Sequence, residues 1–211
     1  MKNFNQKRIV HTSRAFTLIE TLIALSVFSV TLVVFMTVMS KNLGDIESSK
    51  NKIIATYLAY EGVELVRDIR DTFVLYSAPD KDGWIDFVTK MSDCDQTTNP
   101  DGCYIDIDML DTNPPTPYTT LFAPDSNQPI TGVLVAPCGT NCPVVLFDDN
   151  YAKYGYTEGI QTRFTRTIHT ANIVQNGENQ ELYVVSTITW PQGNKTESVS
   201  FSEYLFNWTA R

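Results

Sequence analysis

Arg14-Ala15-Phe16-Thr17-Leu18-Ile19-Glu20-Thr21-Leu22 opens an apolar run that continues to Met39. Between Phe16 and Met39 Glu20 is the only charged residue. At a helical rise of 1.5 Å per residue, this run reaches about 36 Å, enough to cross a hydrocarbon core of ~30 Å. Lys2, Lys7, Arg8 and Arg14 precede it, with no acidic residue among the first fifteen. This bias holds the N-terminus in the cytoplasm and sends the C-terminal part outward. A secretory signal peptide has a shorter apolar core, roughly 7–15 residues, and a small-x-small site after it. Here the core is longer, and its carboxylate stands at the start. Inside a span a carboxylate is costly, so it is normally paired and functional.

Basic leader, small residue, Phe16, three residues, Glu20 and a long apolar helix: this pattern resembles the class III signal of type IV pilins and pseudopilins. The resemblance implies that a prepilin peptidase cuts between Ala15 and Phe16 and N-methylates Phe16. Glu20 becomes the fifth mature residue and forms an assembly charge pair with the new amino group of Phe16 on a neighbour. Ala15 stands where the family usually has Gly. The main pilins often carry a Pro about twenty-two residues into the mature chain. Phe35-Met36-Thr37-Val38 has none, which is more typical of minor pilins and pseudopilins. Glu61–Asp71 resembles the corresponding helix end of PilV-like minor pilins or secretion pseudopilins, as does the closing Leu205-Phe206-Asn207-Trp208.

The implied fold is α+β and type IV pilin-like, a long N-terminal helix packed on a C-terminal antiparallel sheet. The expected divisions are a cleaved leader at 1–15, a transmembrane helix at 16–40 and an amphipathic continuation at 41–76. An irregular, partner-facing region at 77–160 and a sheet at 161–211 complete the chain. Ile54, Leu58, Gly62, Leu65, Ile69 and Phe73 recur at helical steps and define the expected buried face. Gly62 is a poor helix former, and its missing side chain suits a closely approaching strand. Ser26, Ser29, Thr31 and Thr37 are expected to bond back to helical carbonyls.

Nine of the ten prolines lie within 77–160. There Trp84–Val88 reads as a short helix or strand, and Tyr104–Met109 as a strand with an acidic face. Val133–Val135 and Val144–Phe147 bracket a loop and suggest a hairpin. The end of the chain is cleaner. Arg163–His169, Leu182–Trp190 and Glu197–Phe206 alternate and are separated by turn-rich Asn176–Asn179 and Pro191–Lys195, an antiparallel meander. Its inward candidates are Phe164, Thr165 or Ile168, then Val184, Ser186 and Ile188, then Val199, Phe201 and Leu205.

The four cysteines form two close pairs, Cys94 with Cys103 and Cys138 with Cys142. Outside the cytoplasm such pairs bridge, and spacings of nine and four without Cys-x-x-Cys fit zinc poorly. Two local disulfides are expected, with free or metal-bound thiols the alternative. Asp93, Asp95, Asp101, Asp106, Asp108 and Asp111 supply oxygens of the kind calcium takes, but their spacing matches no calcium loop, so neither a metal nor a cofactor is expected.

Four of the sixteen basic residues lie in the leader, leaving twelve against twenty-four acids, a formal charge of −12. Such a surface repels nucleic-acid backbones, so direct nucleic-acid binding is not expected. Of two histidines, His11 leaves with the leader and His169 reads as an ordinary residue at a strand end. No phosphate loop, His-x-x-x-His or nucleophile elbow is present, so no catalytic residue is expected. The partners implied are prepilin peptidase, other pilin or pseudopilin subunits and the membrane. The rival reading is a monomeric, membrane-anchored extracellular binding domain.

Overall fold

The computed structural model describes residues 16–76, 82–106, 134–175 and 178–208. The chain divides into two units, Met1–Glu47 and Ser48–Arg211. The long helix α1, Leu18–Tyr76, contributes to both.

In the first unit the helix is apolar enough to cross a membrane. Its hydroxyls are satisfied within the helix. Ser26 Oγ donates to Ile23 O, Ser29 Oγ to Leu25 O, Thr31 Oγ1 to Phe28 O and Thr37 Oγ1 to Val33 O, all at 2.8–2.9 Å. Thr21 and Ser40 do the same. A hydroxyl that feeds a carbonyl three or four residues back exposes no unpaired donor to lipid.

In the second unit, α1 is covered by a seven-stranded sheet. The sheet is built on a meander of β5 (Ile160–Gln175), β6 (Glu178–Gln192) and β7 (Lys195–Phe206). These strands are longer than the alternation alone suggested. The β6–β7 turn closes with Gln192 opposite Lys195, and Gly193 there has φ 59°. A two-residue hairpin turn requires that left-handed geometry, which glycine adopts without a Cβ penalty.

Within the expected irregular region, the described residues 82–106 and 134–160 form more regular structure than their composition suggests. Asp82 caps α2 (Gly83–Lys90) by accepting Trp84 N–H at 2.9 Å and Ile85 N–H at 3.3 Å. A 3-10 turn follows at Met91–Cys94. Then come four short strands: β1 (Cys103–Asp106), β2 (Leu134–Pro137), β3 (Val144–Asp148) and β4 (Lys153–Gly155). β2 and β3 are not the two arms of a hairpin. β2 pairs with β1, whereas β3 pairs with β4 and β5. β1 and β3 take separate stretches of β5, Cys103 opposite Ile168 and Val144 opposite Thr165, so the 138–143 segment must cross between them. Residues 107–109 of the expected acidic strand, and Val133, lie outside the described residues.

The core is formed where α1 meets the sheet. Val63, Val66, Ile69 and Phe73 pack with Trp84, Phe87, Ile105, Ile168, Leu182 and Leu205. A second cluster joins Ala55, Leu58 and Ala59 to Phe164, Ile188 and Trp190. The buried helix face is therefore rotated slightly from the expected one. Leu58, Gly62, Ile69 and Phe73 are on it, but Ile54 and Leu65 are only half-buried, and Ala55, Ala59, Val63 and Val66 take the centre. Small residues bring the helix axis close to the sheet, and large ones fill the flanks.

At Gly62 the approach is closest. A Cβ there would lie 2.3 Å from Ser186 Oγ and 3.1 Å from Arg166 Cδ. Ser186, Val184 and Ile188 are all completely buried. Thr165 is half-buried, on the opposite face from Phe164 and Ile168. On β7 the expected phase holds, since Val199 and Phe201 stand opposite Ile188 and Ser186. Yet Phe201 remains 39% exposed, because among the described residues β7 pairs only with β6 and lies at the sheet margin.

Candidate functional site

The N-terminal segment carries the first site. Helix α1 begins at Leu18, and Phe16 and Thr17 precede it in non-helical backbone. Thr17 O accepts the N–H of Glu20 at 3.1 Å and of Thr21 at 3.2 Å, which closes the first turn. Phe16 and Thr17 thus stand just ahead of the helical hydrogen-bond ladder. Glu20 occupies the first helical turn, where the helix dipole favours a negative charge. Phe16 and Glu20 are both exposed. Ala15 lies outside the described residues.

The second unit carries the disulfides. Cys94 is joined to Cys103 and Cys138 to Cys142. The first ties the 3-10 turn to the start of β1. The second closes the loop between β2 and β3 and sets Cys142 Sγ 3.2 Å from Thr167 Oγ1.

Two of the aspartates singled out for calcium accept hydrogen bonds from threonines, Asp95 in a local turn and Asp106 from a distant segment. Asp95 accepts the N–H of Thr97 at 2.8 Å and its hydroxyl at 2.6 Å. Asp106 accepts Thr157 Oγ1 at 3.0 Å. Asp108 and Asp111 lie outside the described residues. Among the described residues, no group of three or more His, Cys, Asp or Glu side chains is placed to hold a metal. His169 is not at a strand end, since β5 runs on to Gln175. Its Nε2 lies 3.1 Å from Pro100 O.

Two charged clusters escaped the sequence reading. Arg67 binds Glu64 on its own helix at 2.6 Å and also Glu203 on β7, fastening helix to sheet margin. Arg166 is 2% exposed. Its Nη1 lies 3.6 Å from Glu61 Oε2, and its guanidinium sits 5.7 Å from the centre of the Tyr156 ring. Burial pushes the Tyr156 phenol above its ordinary value, opposed by the Arg166 cation. The signal was present in the alternation: Arg166 shares the inward phase of Phe164 and Ile168, and only a charge partner on the facing helix makes that tolerable.

These features define a class of protein: an α+β domain at the end of an apolar, membrane-competent helix, whose first turn carries a carboxylate just after non-helical backbone. The chain matches the model of the prokaryotic N-terminal methylation motif over residues 11–38. That match covers the bond before Phe16, Glu20 and most of the apolar run, and it supports a type IV pilin-like prepilin signal. With the apolar helix it supports a membrane-anchored protein. No curated protein and no solved structure matches the chain.

Proposed function

We propose that the chain is a minor subunit of a type IV pilus or of a related secretion or DNA-uptake filament. The reading is carried by one coincidence: the methylation-motif match ends in the apolar part of α1 and contains Glu20 in that helix's first turn. In this reading a prepilin peptidase removes residues 1–15 and methylates Phe16. The mature subunit waits in the cytoplasmic membrane with Ser48–Arg211 outside, then moves into a filament among other pilin or pseudopilin subunits.

The physical mechanism is burial with charge neutralisation. Apolar helices leave lipid for a filament core of helices. Glu20 of one subunit meets the amino group of Phe16 on the next, so both charges are paired where water is scarce. The role is structural, which agrees with the kind of motif present. Intact mass of the mature chain tests the processing. A chain beginning at N-methyl-Phe16 is expected. A chain that keeps residues 1–15 in cells containing the peptidase contradicts the reading and favours a plain anchored binding domain.

A further inference from the structure

One margin of the sheet is unlike the others. An edge strand leaves a row of N–H and C=O groups unpaired, and proteins usually keep such strands short or interrupt them with Pro or a bulge. β2 has four residues and ends in Pro137, and β4 has three. β7 has twelve and no Pro. Its pairing with β6 runs from Glu181 opposite Phe206 to Gln192 opposite Lys195 without a shift of register. Among the described residues nothing pairs with its other side, and nine of its twelve residues are exposed.

An apolar shelf borders this edge. Asn51 Nδ2 donates to Gln192 Oε1 at 3.1 Å, and Arg67 binds Glu203, so α1 runs alongside β7 between these contacts. There Ile53, Tyr57 and Tyr60 follow one another at steps of four and three, 58%, 71% and 46% exposed. Tyr60 meets Phe201 edge-on, with ring centres 5.3 Å apart. On its other face β7 carries a row of hydroxyls, with Ser200 Oγ 2.9 Å from Thr187 Oγ1.

We propose that β7 docks an extended segment of another protein, which adds to the sheet as a further strand. Main-chain hydrogen bonds along the free edge supply affinity, and alternate side chains supply specificity. The segment has apolar residues at alternate positions, to lie over the Tyr60–Phe201 shelf, and Lys or Arg at its ends. The bases follow from charge. On the shelf side, Glu197 precedes Val199 and Glu203 follows Phe201. With Glu64 these carboxylates outnumber Lys195 and Arg67. A second copy of β7 fits poorly. Antiparallel pairing over residues 195–205 sets Glu197 opposite Glu203 twice, and like charges directly opposite destabilise a sheet. The inference uses Ser48–Arg211 alone and does not rest on the filament reading.

The test uses the full chain in detergent with labelled synthetic peptides of about ten residues, the upper range of ordinary strands. The first peptide alternates Val and Thr and has Lys at both ends. Its controls are the same peptide with an N-methylated backbone, an isomer with the valines contiguous, and a form with Glu in place of Lys. Fluorescence anisotropy reads binding, and hydrogen exchange reads the β7 amides. Saturable binding of the first peptide is expected, with slowed exchange at alternate β7 amides. The N-methylated peptide and the contiguous isomer should not bind. The Glu-ended form should bind about tenfold more weakly, since two cross-strand pairs turn repulsive. Glu197→Lys, at an exposed position, should weaken binding of the first peptide by about two- to fivefold. Absence of saturable binding overturns the proposal, as does equal binding of the N-methylated peptide or indifference to both charge changes. Full protection of every β7 amide before peptide is added overturns it too, because the edge is then covered by the chain itself. Dimers cross-linked from Ser200→Cys assign the edge to a second copy, with the same consequence.

Discussion

Gly62→Ala reverses an ordinary rule. In an exposed helix interior, Ala in place of Gly stabilises by about 1 kcal/mol. Here the new Cβ would stand 2.3 Å from Ser186 Oγ, 3.0 Å from Ser186 Cβ and 3.1 Å from Arg166 Cδ. Ser186 is fully buried in β6, and Arg166 is held at 2% exposure on β5. Neither can retreat without moving the strand or separating Arg166 from Glu61. Overpacking of this kind costs ~1–3 kcal/mol, and contacts this short put it at the upper end. Subtracting the helix gain leaves a net loss of about 2 kcal/mol. For a folded unit of this size that is a fall in Tm of roughly 4–8 °C. The assay is thermal unfolding of the full chain in detergent, followed by near-ultraviolet circular dichroism. Ser186→Gly removes the two nearest atoms, so Gly62→Ala with Ser186→Gly should recover most of the loss that Gly62→Ala adds to wild type. An unchanged or raised Tm for Gly62→Ala refutes the close approach of helix and sheet.

Two further predictions concern the outer unit. Protein taken from outside the membrane should show no free thiols before reduction, and opening either bridge by Cys94→Ser with Cys103→Ser, or Cys138→Ser with Cys142→Ser, should lower stability by on the order of 2–3 kcal/mol; titration with a thiol reagent and denaturant unfolding measure both. Burial raises Tyr156 above 10.0, so the folded state holds its proton more tightly than the unfolded state. Its contribution is complete below pH ~10 and is lost as pH rises from there towards the folded value. Tyr156→Phe should therefore flatten the fall in stability above pH ~10, and an unchanged alkaline profile in that variant counts against its buried phenol.

Periodicity made much of this structure legible. The apolar run, the amphipathic steps from Leu58 to Phe73 and the three alternating terminal strands each answer to a repeat of 3.6 or 2, and the helix and meander follow. What escaped has non-local causes. Choosing Ile54 and Leu65 over Ala55 and Val66 favoured side-chain size, whereas a helix against a sheet places small residues at the centre of contact. Pairing β2 with β3 assumed that neighbours in sequence are neighbours in the sheet. Cys103 opposite Ile168 and Val144 opposite Thr165 instead place β1 and β3 along β5. Phe201 has the inward phase but lies on a marginal strand, where phase alone does not bury a ring. Arg166 was overlooked because its meaning depends on Glu61, more than a hundred residues earlier. At the N-terminus the motif matched over residues 11–38 is a run of adjacent residues, so it is legible without any knowledge of the fold.

We propose that Glu20 serves assembly, not insertion. In the proposed filament, replacing it would remove one partner of a pair buried in the core, a loss of roughly 3–5 kcal/mol that would leave the amino group of Phe16 unpaired. Cleavage should be untouched, because the peptidase acts on the residues around the bond before Phe16. Glu20→Leu and Glu20→Gln should therefore insert, be processed to the wild-type mass and retain both disulfides, yet be depleted from filaments. The measurement is the ratio of the mature chain in sheared filaments to that in membranes, by quantitative immunoblot, for wild type and Glu20→Leu expressed at equal levels. A processed variant that is nearly absent from the filaments is the expected result. A Glu20→Leu chain incorporated at the wild-type ratio contradicts the charge pair and supports an anchored, monomeric domain instead.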